Sequence, residues 1–500
     1  MKPELRDKLI LWTSVGLFLL VNLFCMWKKE FFFIPAAALV VGVLYLLVFR
    51  VDLLMYVMAF VTPLSVVMNN EKFQIGISLP SEFIMIALTL LFFCRLLYDL
   101  RLDRRLALHP ISIAIYVYLL WMLMTCVTSE RPVVSFKFLA SKLWFITSCY
   151  FMVIQLIKND LKNAVRFFDC YTVGLVIVVI YTTIHHAIMG FTEHSGHWVM
   201  TPFYNDHTAY GAVLAFFIPI VVGLFFQTEQ KGKRWFYLVC GLILLTGLYL
   251  SYCRAAWLSV VAILAVWLVM KLRIKFSWLV MAGVVLGVLF YFSADDILYK
   301  MGRNSQDTSG NLVEHIQSMS NISTDASNVE RLNRWTAAFG MIKERPVMGW
   351  GPGTYQFEYA PYQKSEYQTI ISTDFGDGGN AHSEYLGPCA ETGIVGLLTV
   401  LALLVTSLYS GIRAYSRAND SLSRMLALVM TLALVGYFVH GFLNNFLDTD
   451  KLSLPFWAAF AVITVVSVGT QESAPLQIVD DHSGSMTAED GGHVRDGADC

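Results

Sequence analysis

Arg254 stands alone between two apolar runs, LYLSYC and AAWLSVVAILAVWLVM. The joint is too short for a free loop, so a tight hairpin with an arginine at its tip is expected. An arginine beside hydrocarbon is costly. Two readings are open: the side chain snorkels to lipid headgroups, or it offers a permanently charged fork to a lipid-linked phosphate, a geometry arginine supplies better than lysine. Arg331 and Arg334 lie in SNVERLNRWTAAFGMIKERPVMGWGPGTY. On a helix, three residues apart puts them on one side, with Trp335 a neighbour of Arg331. The plain reading is a solvated helix face with Glu330 as partner.

His382 falls in GGNAHSEYLGPCAETGIVG, with Glu384 and Glu391 close in sequence. Histidine is the usual general base near neutral pH, although a lone histidine is more often structural. Asn205, Asp206 and His207 open another apolar run in FYNDHTAYGAVLAFFIPI. An Asn or Asp cap on a helix is the plain reading there. His185, His186, His194 and His197 precede it, without the i,i+4 spacing and carboxylate of a metal-binding helix. Asp374 and Asp377 in DFGDGG lack the ligand count of a calcium loop. Gly349, Gly351 and Gly353 form GWGPG without the Lys and Ser/Thr that a phosphate-cradling loop needs, so a tight turn is expected.

The elements that must position these residues follow from composition. The chain has 500 residues, 56% of them apolar and 15% charged, with mean hydropathy +0.59. A soluble domain carries about 45–50% apolar and about 25% charged residues. There is too little charge to coat soluble domains of this length, so a soluble enzyme, a disordered chain and a disulfide scaffold are excluded. The nine cysteines form no C-x-x-C pair, which signals neither zinc nor a disulfide framework. The expected fold is an all-α polytopic membrane protein.

A bilayer-crossing helix needs about 20 apolar residues. Fourteen segments qualify, near 9–27, 31–49, 53–68, 83–97, 110–127, 138–156, 169–189, 208–226, 235–253, 255–270, 276–293, 393–411, 425–443 and 453–470. The third and fourth are short, so 12–14 spans are expected. With the N-terminus inside, twenty Lys/Arg fall in inner segments and seven, including Arg254 and Lys451, in short outer ones. That bias puts both termini in the cytoplasm. Residues 1–293 then hold eleven spans, 294–392 one large, mostly helical external loop, 393–470 the last three spans, and 471–500 a disordered acidic tail. The loop and the tail are each acidic by six, which leaves the rest at +11, suited to anionic membrane lipids. The loop carries Trp335, Trp350, Tyr355 and Tyr359, so it should fold, with a helix over Asn328–Glu344 that Pro346 ends and another beginning near His382.

Taken in order, FYNDH, SYCRAAWL, RLNRW, PVMGWG and HSEYLGPCAETGIVG resemble the O-antigen ligase / O-antigen polymerase superfamily over roughly residues 203–400. Ser383 stands where the family often has Asn after the His, and Pro388 is expected to interrupt the helix that follows. The resemblance implies a membrane-embedded glycosyltransferase of the GT-C type in the bacterial inner membrane, its site facing the periplasm. The donor would be a glycan on undecaprenyl diphosphate. By position, His382 would be the catalytic base for the acceptor hydroxyl. Arg254 and Arg331 would bind the diphosphate, with Arg334, Asn205, His207 and Glu384 as further substrate-binding residues. Attack from the face opposite the leaving group would invert the anomeric centre. Some GT-C enzymes hold a metal on acidic residues of the first outer loop. Here that loop is Lys28-Lys29-Glu30, so the arginines replace the metal and no cofactor is expected.

The acceptor separates the readings. A ligase would use lipid A–core, a polymerase a growing glycan, and a third enzyme protein Ser/Thr. No nucleic-acid partner is expected. A transporter or flippase would place ionisable residues mid-span, where Lys142 and His440 are the few candidates.

Overall fold

The computed structural model describes residues 33–70, 75–98, 103–272, 326–364 and 379–472. The expected spans at 9–27 and 276–293, the tail beyond 472, and loop residues 294–325 and 365–378 lie outside the described residues. Apolar runs become helices where they are long enough. These are α1 (Phe33–Phe49), α2 (Val51–Val61), α3 (Ser81–Tyr98), α4 (Pro110–Val127), α5 (Pro132–Ile146, continued through a π turn to Ile157), α6 (Lys162–Ile188) and α7 (His207–Gln227). There follow α8 (Lys231–Leu250), α9 (Arg254–Lys271), α10 (Ala326–Glu344), α11 (Leu386–Arg417), α12 (Ser421–His440) and α13 (Asp450–Glu472). Among the described residues, ten helices are long and apolar enough to cross a membrane, and two shorter apolar helices precede them. The chain is an all-α polytopic membrane protein.

The third expected span, 53–68, is corrected. The helix stops at Val61, Pro63 enters a 3-10 turn, and Val66–Asn70 (β1) pairs antiparallel with Ile75–Leu79 (β2). Val66-Val67 reads as apolar helix in a window, but β-branched residues after a proline fit a strand equally well.

Burial sorts the helices. α13 and α12 are buried along most of their length, whereas α8 and α9 show most of theirs outward. α12 packs against α7, α9, α11 and α13. A helix apolar all round belongs in such a centre, and a one-sided one faces lipid. Leu120, Phe226, Trp235, Val261 and Leu264 point outward, as lipid-facing side chains should. The starts of α7 and α9 and the turn ahead of α11, which carry His207, Arg254 and His382, come to one end of the bundle, where the loop segment 326–364 packs against α11.

Candidate functional site

The loop folds around a small core of its own: Ala337, Ala338 and Met341 of α10 with Trp350, Tyr355, Tyr359, Ala381 and Ala390. α10 starts at Ala326, two residues before the expected start at Asn328, and ends at Glu344, just ahead of Pro346. From there GWGPG runs as a strap across α11. Gly349, Gly351 and Gly353 all have positive φ. A Cβ on Gly351 would lie 2.0 Å from Ser129 Oγ, and one on Gly349 would lie 2.4 Å from the Glu391 carbonyl. The glycines therefore serve a tight turn in close contact with backbone, as expected from the missing Lys and Ser/Thr.

What the strap crosses is a break in α11 at Gly393 (φ 74°). Pro388 does not cause it. Pro388 occupies the third helical position, where no intrahelical N–H is needed, so the expected interruption there is corrected to Gly393. A break exposes carbonyls that hydrocarbon cannot satisfy. Each of the three before Gly393 has a donor: Trp350 N to Ala390 O at 3.2 Å, Gly351 N to Glu391 O at 2.7 Å, and Trp121 Nε1 to Thr392 O at 2.8 Å. Ile394 N donates in return to Pro346 O at 2.8 Å. The strap and the break are one unit.

His382 sits in the turn ahead of α11, not on the helix itself. It has a left-handed backbone (φ 47°), costly for a non-glycine residue. Its N–H donates to Asn380 Oδ1 at 3.0 Å. Ser383 Oγ then accepts from Tyr385 N and Leu386 N, both at 3.3 Å, so its hydroxyl holds the turn that leads into α11. Glu384 Oε1 accepts from Tyr437 Oη (2.5 Å), Phe446 N (2.8 Å) and Leu447 N (2.9 Å). Glu384 N donates to Gly441 O at 2.8 Å. One carboxylate thus ties the His382 turn to the α12–α13 connection.

Around His382 the charge is basic. Burial first, then the Arg331 and Arg334 guanidinium groups, lower its pKa to about 4, so the imidazole is neutral near pH 7 and able to accept a proton. Arg331 Nε donates to Leu443 O at 3.3 Å. Arg334 is not on a solvated face. Its Nε meets the buried Glu330 carboxylate at 2.5 Å, its Cζ lies 4.3 Å over the Tyr359 ring, and its buried Nη1 has no hydrogen-bond partner among the described residues. Glu330 is its expected partner, but inside the protein. A Cβ on Gly379 would collide with the same guanidinium, so Arg334 backs the turn that carries His382.

Arg254 is the first residue of α9, directly after the turn Ser251–Cys253, as the hairpin reading expects. His207 opens α7 within the electrostatic reach of Arg254 and Arg331, and its ring stacks on His197 with centroids 4.3 Å apart. Asp206 caps α7 through Thr208 N (2.7 Å) and Ala209 N (2.8 Å), which is the plain reading. Asn205 is exposed beside it. The structure therefore gathers Arg254, His207, Arg331, Arg334 and His382 at one end of the bundle, with Glu384 behind the turn and Asn205 at the edge. Among the described residues no group of His, Cys, Asp and Glu could hold a metal ion.

Two features are not connected to this site by the sequence. His440, in sequence only a mid-span ionisable residue, ends α12 facing the same charges; its Nε2 meets Asn444 Nδ2 at 3.2 Å and its buried Nδ1 has no hydrogen-bond partner among the described residues. On the far side of the 379–385 turn lies a cavity of about 790 Å³. Asn380, Glu384, Glu391, Lys142, Asn445 and Asp448 contribute its polar wall, and none of the arginines does. Lys142 is a mid-span charge in sequence, yet it opens onto this cavity and donates to Leu447 O at 2.5 Å.

The fold and the site define a multi-pass membrane protein with basic residues and a neutral histidine held at one end of its bundle. Residues 239–401 match the family model for O-Antigen ligase. The matched segment runs from α8 into α11 and includes Arg254, Arg331, Arg334, His382, Glu384 and Gly393, but not His207 or His440. No curated protein matches the chain. The match supports an O-antigen ligase- or polymerase-type function, with lipid-linked glycans as substrates in general.

Proposed function

We propose that the chain is a glycosyltransferase that moves a glycan from undecaprenyl diphosphate to an acceptor hydroxyl at the periplasmic face of the inner membrane. The observation that carries this reading is a neutral His382 set beside Arg331 and Arg334 within the family match. The acceptor oxygen forms a bond to the anomeric carbon as the bond to the diphosphate oxygen breaks. The acceptor proton passes to His382 Nδ1 or Nε2, and the bonding pair leaves with undecaprenyl diphosphate. Arg254 and Arg331 offset the charge that develops on the leaving group, the role a metal would otherwise have. Arg334 and Glu384 position the His382 turn. His207 and Asn205 lie where the donor approaches from the bilayer. Attack opposite the leaving group inverts the anomeric centre.

The Lys/Arg bias supports cytoplasmic termini, with 294–392 as the catalytic loop. Ligation to lipid A–core is the reading we favour among those that share this donor. A deletion strain that keeps carrier-linked polymer unattached marks a ligase; one that keeps single repeat units marks a polymerase. The test of the site is His382→Ala. We expect transfer to fall about 10²–10⁴-fold with the protein still in the membrane. Full transfer by that variant would falsify the assignment, and loss of transfer on chelation of divalent ions would return the charge-offsetting role to a metal.

A further inference from the structure

The 790 Å³ cavity lies beside the His382 turn, and among the described residues no arginine lines it. Its size suits a ligand of one to a few sugar rings. Part of its wall is aromatic, with Tyr385, Phe438 and Trp457 among the rings, and flat apolar rings suit the C–H faces of a pyranose. Its polar wall is rich in acceptors. Glu384, Glu391 and Asp448 bring three carboxyl groups, and Asn445 adds an Oδ1 that is buried with no hydrogen-bond partner among the described residues. Sugar hydroxyls are donors that match such a wall. A buried acceptor with nothing to accept is costly, so Asn445 Oδ1 is a place for a ligand O–H.

The charges decide which sugar. Two lysines also face the cavity. Lys142 Nζ is already committed to Leu447 O at 2.5 Å and lies 5.1 Å from the Phe138 ring centroid. Lys137 is exposed. Asp448, by contrast, is open to the cavity rather than packed away. Among the described residues, a phosphate or carboxylate brought here meets three carboxyl groups against two lysines, one of them tied to a carbonyl. The same group brought to the other side of the turn meets arginines.

We propose that this chamber seats the acceptor sugar, and that the sugar it seats carries neither phosphate nor carboxylate. The inference rests on the transferase reading above and sharpens it. The anionic leaving group belongs on the arginine side, the neutral or amino-bearing acceptor ring belongs in the acidic chamber, and His382 stands in the turn between them. Asp448, Glu391 and Asn445 are then specificity-determining residues. The chamber selects by exclusion, since a like charge at a desolvated site is penalised more than a good contact is rewarded.

Two measurements test this. The first is the structure of the linkage made in cells, with the acceptor-side sugar identified by mass spectrometry in wild type and in a His382→Ala strain. The expected result is a neutral or amino sugar at the junction, absent in His382→Ala. A phosphorylated or carboxylated ring at a junction that depends on His382 overturns the chamber inference and leaves the transferase intact. A junction that persists in His382→Ala overturns both. The second uses the full chain in lipid nanodiscs, with acceptor from the deletion strain before and after oxidation of its primary hydroxyls to carboxylates. We expect wild type to use the oxidised acceptor at least about tenfold less well, and Asp448→Asn to recover part of that ratio. The ratio does not depend on how much variant folds. Equal use of both acceptors, or no recovery in Asp448→Asn, overturns the proposal.

Discussion

Two clusters of buried charge lie at the same end of this bundle and differ in one respect. In the first, between the β-hairpin and α13, Asp450 Oδ2 accepts from Ser65 Oγ and Ser81 Oγ, each at 2.5 Å. Lys451 Nζ reaches Ser65 Oγ at 3.1 Å and Asp450 Oδ1 at 3.4 Å, and Tyr171 Oη donates to Lys451 O at 2.5 Å. Both members of the ion pair are buried and hydrogen-bonded. In the second, around His382, Arg334 Nη1 and His440 Nδ1 are buried with no hydrogen-bond partner among the described residues. A buried polar atom is normally satisfied. The saturated cluster needs nothing further and ties four elements together. The unsaturated one has donors and acceptors in reserve for a ligand, and it is the one with family motifs around it.

That contrast predicts different failures. Arg331→Ala should cost about 10³-fold in kcat/KM, since a cation aimed at developing charge is worth a few kcal/mol. Arg331→Lys should recover little, because one ammonium cannot reproduce the fork. Thermal unfolding in detergent should barely change for either. Asp450→Ala should do the reverse. It strands Lys451 and two serines, which costs about 3 kcal/mol or more of stability, read as a lower midpoint with the activity per folded molecule retained. Wild-type activity in Arg331→Ala together with a large loss of midpoint would show that the two clusters have been assigned the wrong way round.

The strap belongs to neither cluster and has an intermediate prediction. Gly393→Ala adds a Cβ 1.9 Å from Val347 O at a φ of +74°. We expect a loss of about 2 kcal/mol and faster proteolysis of the loop, because the strap can no longer lie across the break. Normal protease resistance would count against the strap as the element that anchors the loop.

Much of this was legible in the residues, for physical reasons. Long apolar runs can only be helices in lipid, and Arg254 between two of them can only be a hairpin tip. Asp206 before α7 reads as a cap because its neighbours supply free N–H groups. Other features were illegible because they depend on partners distant in sequence. Val66-Val67 looks like the end of a span until β2 pairs with it. Pro388 looks like a breaker, yet the first turn tolerates it and the break falls at Gly393, whose role appears only when the strap lies over it. The start of α13 at Asp450 was read as a loop because an Asp-Lys pair is hydrophilic alone and inconspicuous once Ser65 and Ser81 enclose it. The chamber draws on Lys142, Glu391 and Asp448, which no local pattern connects.

The smallest effect is one of pH. In the free enzyme Arg331 and Arg334 help burial hold His382 down to about 4. The base must be unprotonated, so kcat/KM should hold from neutrality down to the region of pH 4 and fall below it. When the donor binds, its diphosphate offsets the arginine fields and the His382 pKa rises toward its ordinary value. The acid limb of kcat, which reports the bound complex, should therefore lie at higher pH than that of kcat/KM. The saturated cluster offers no such shift, since no ligand charge reaches it. Measuring both profiles on one preparation decides the matter. Coincident acid limbs would mean that the diphosphate does not bind beside His382, and the arginines would then have to be reassigned to holding the loop.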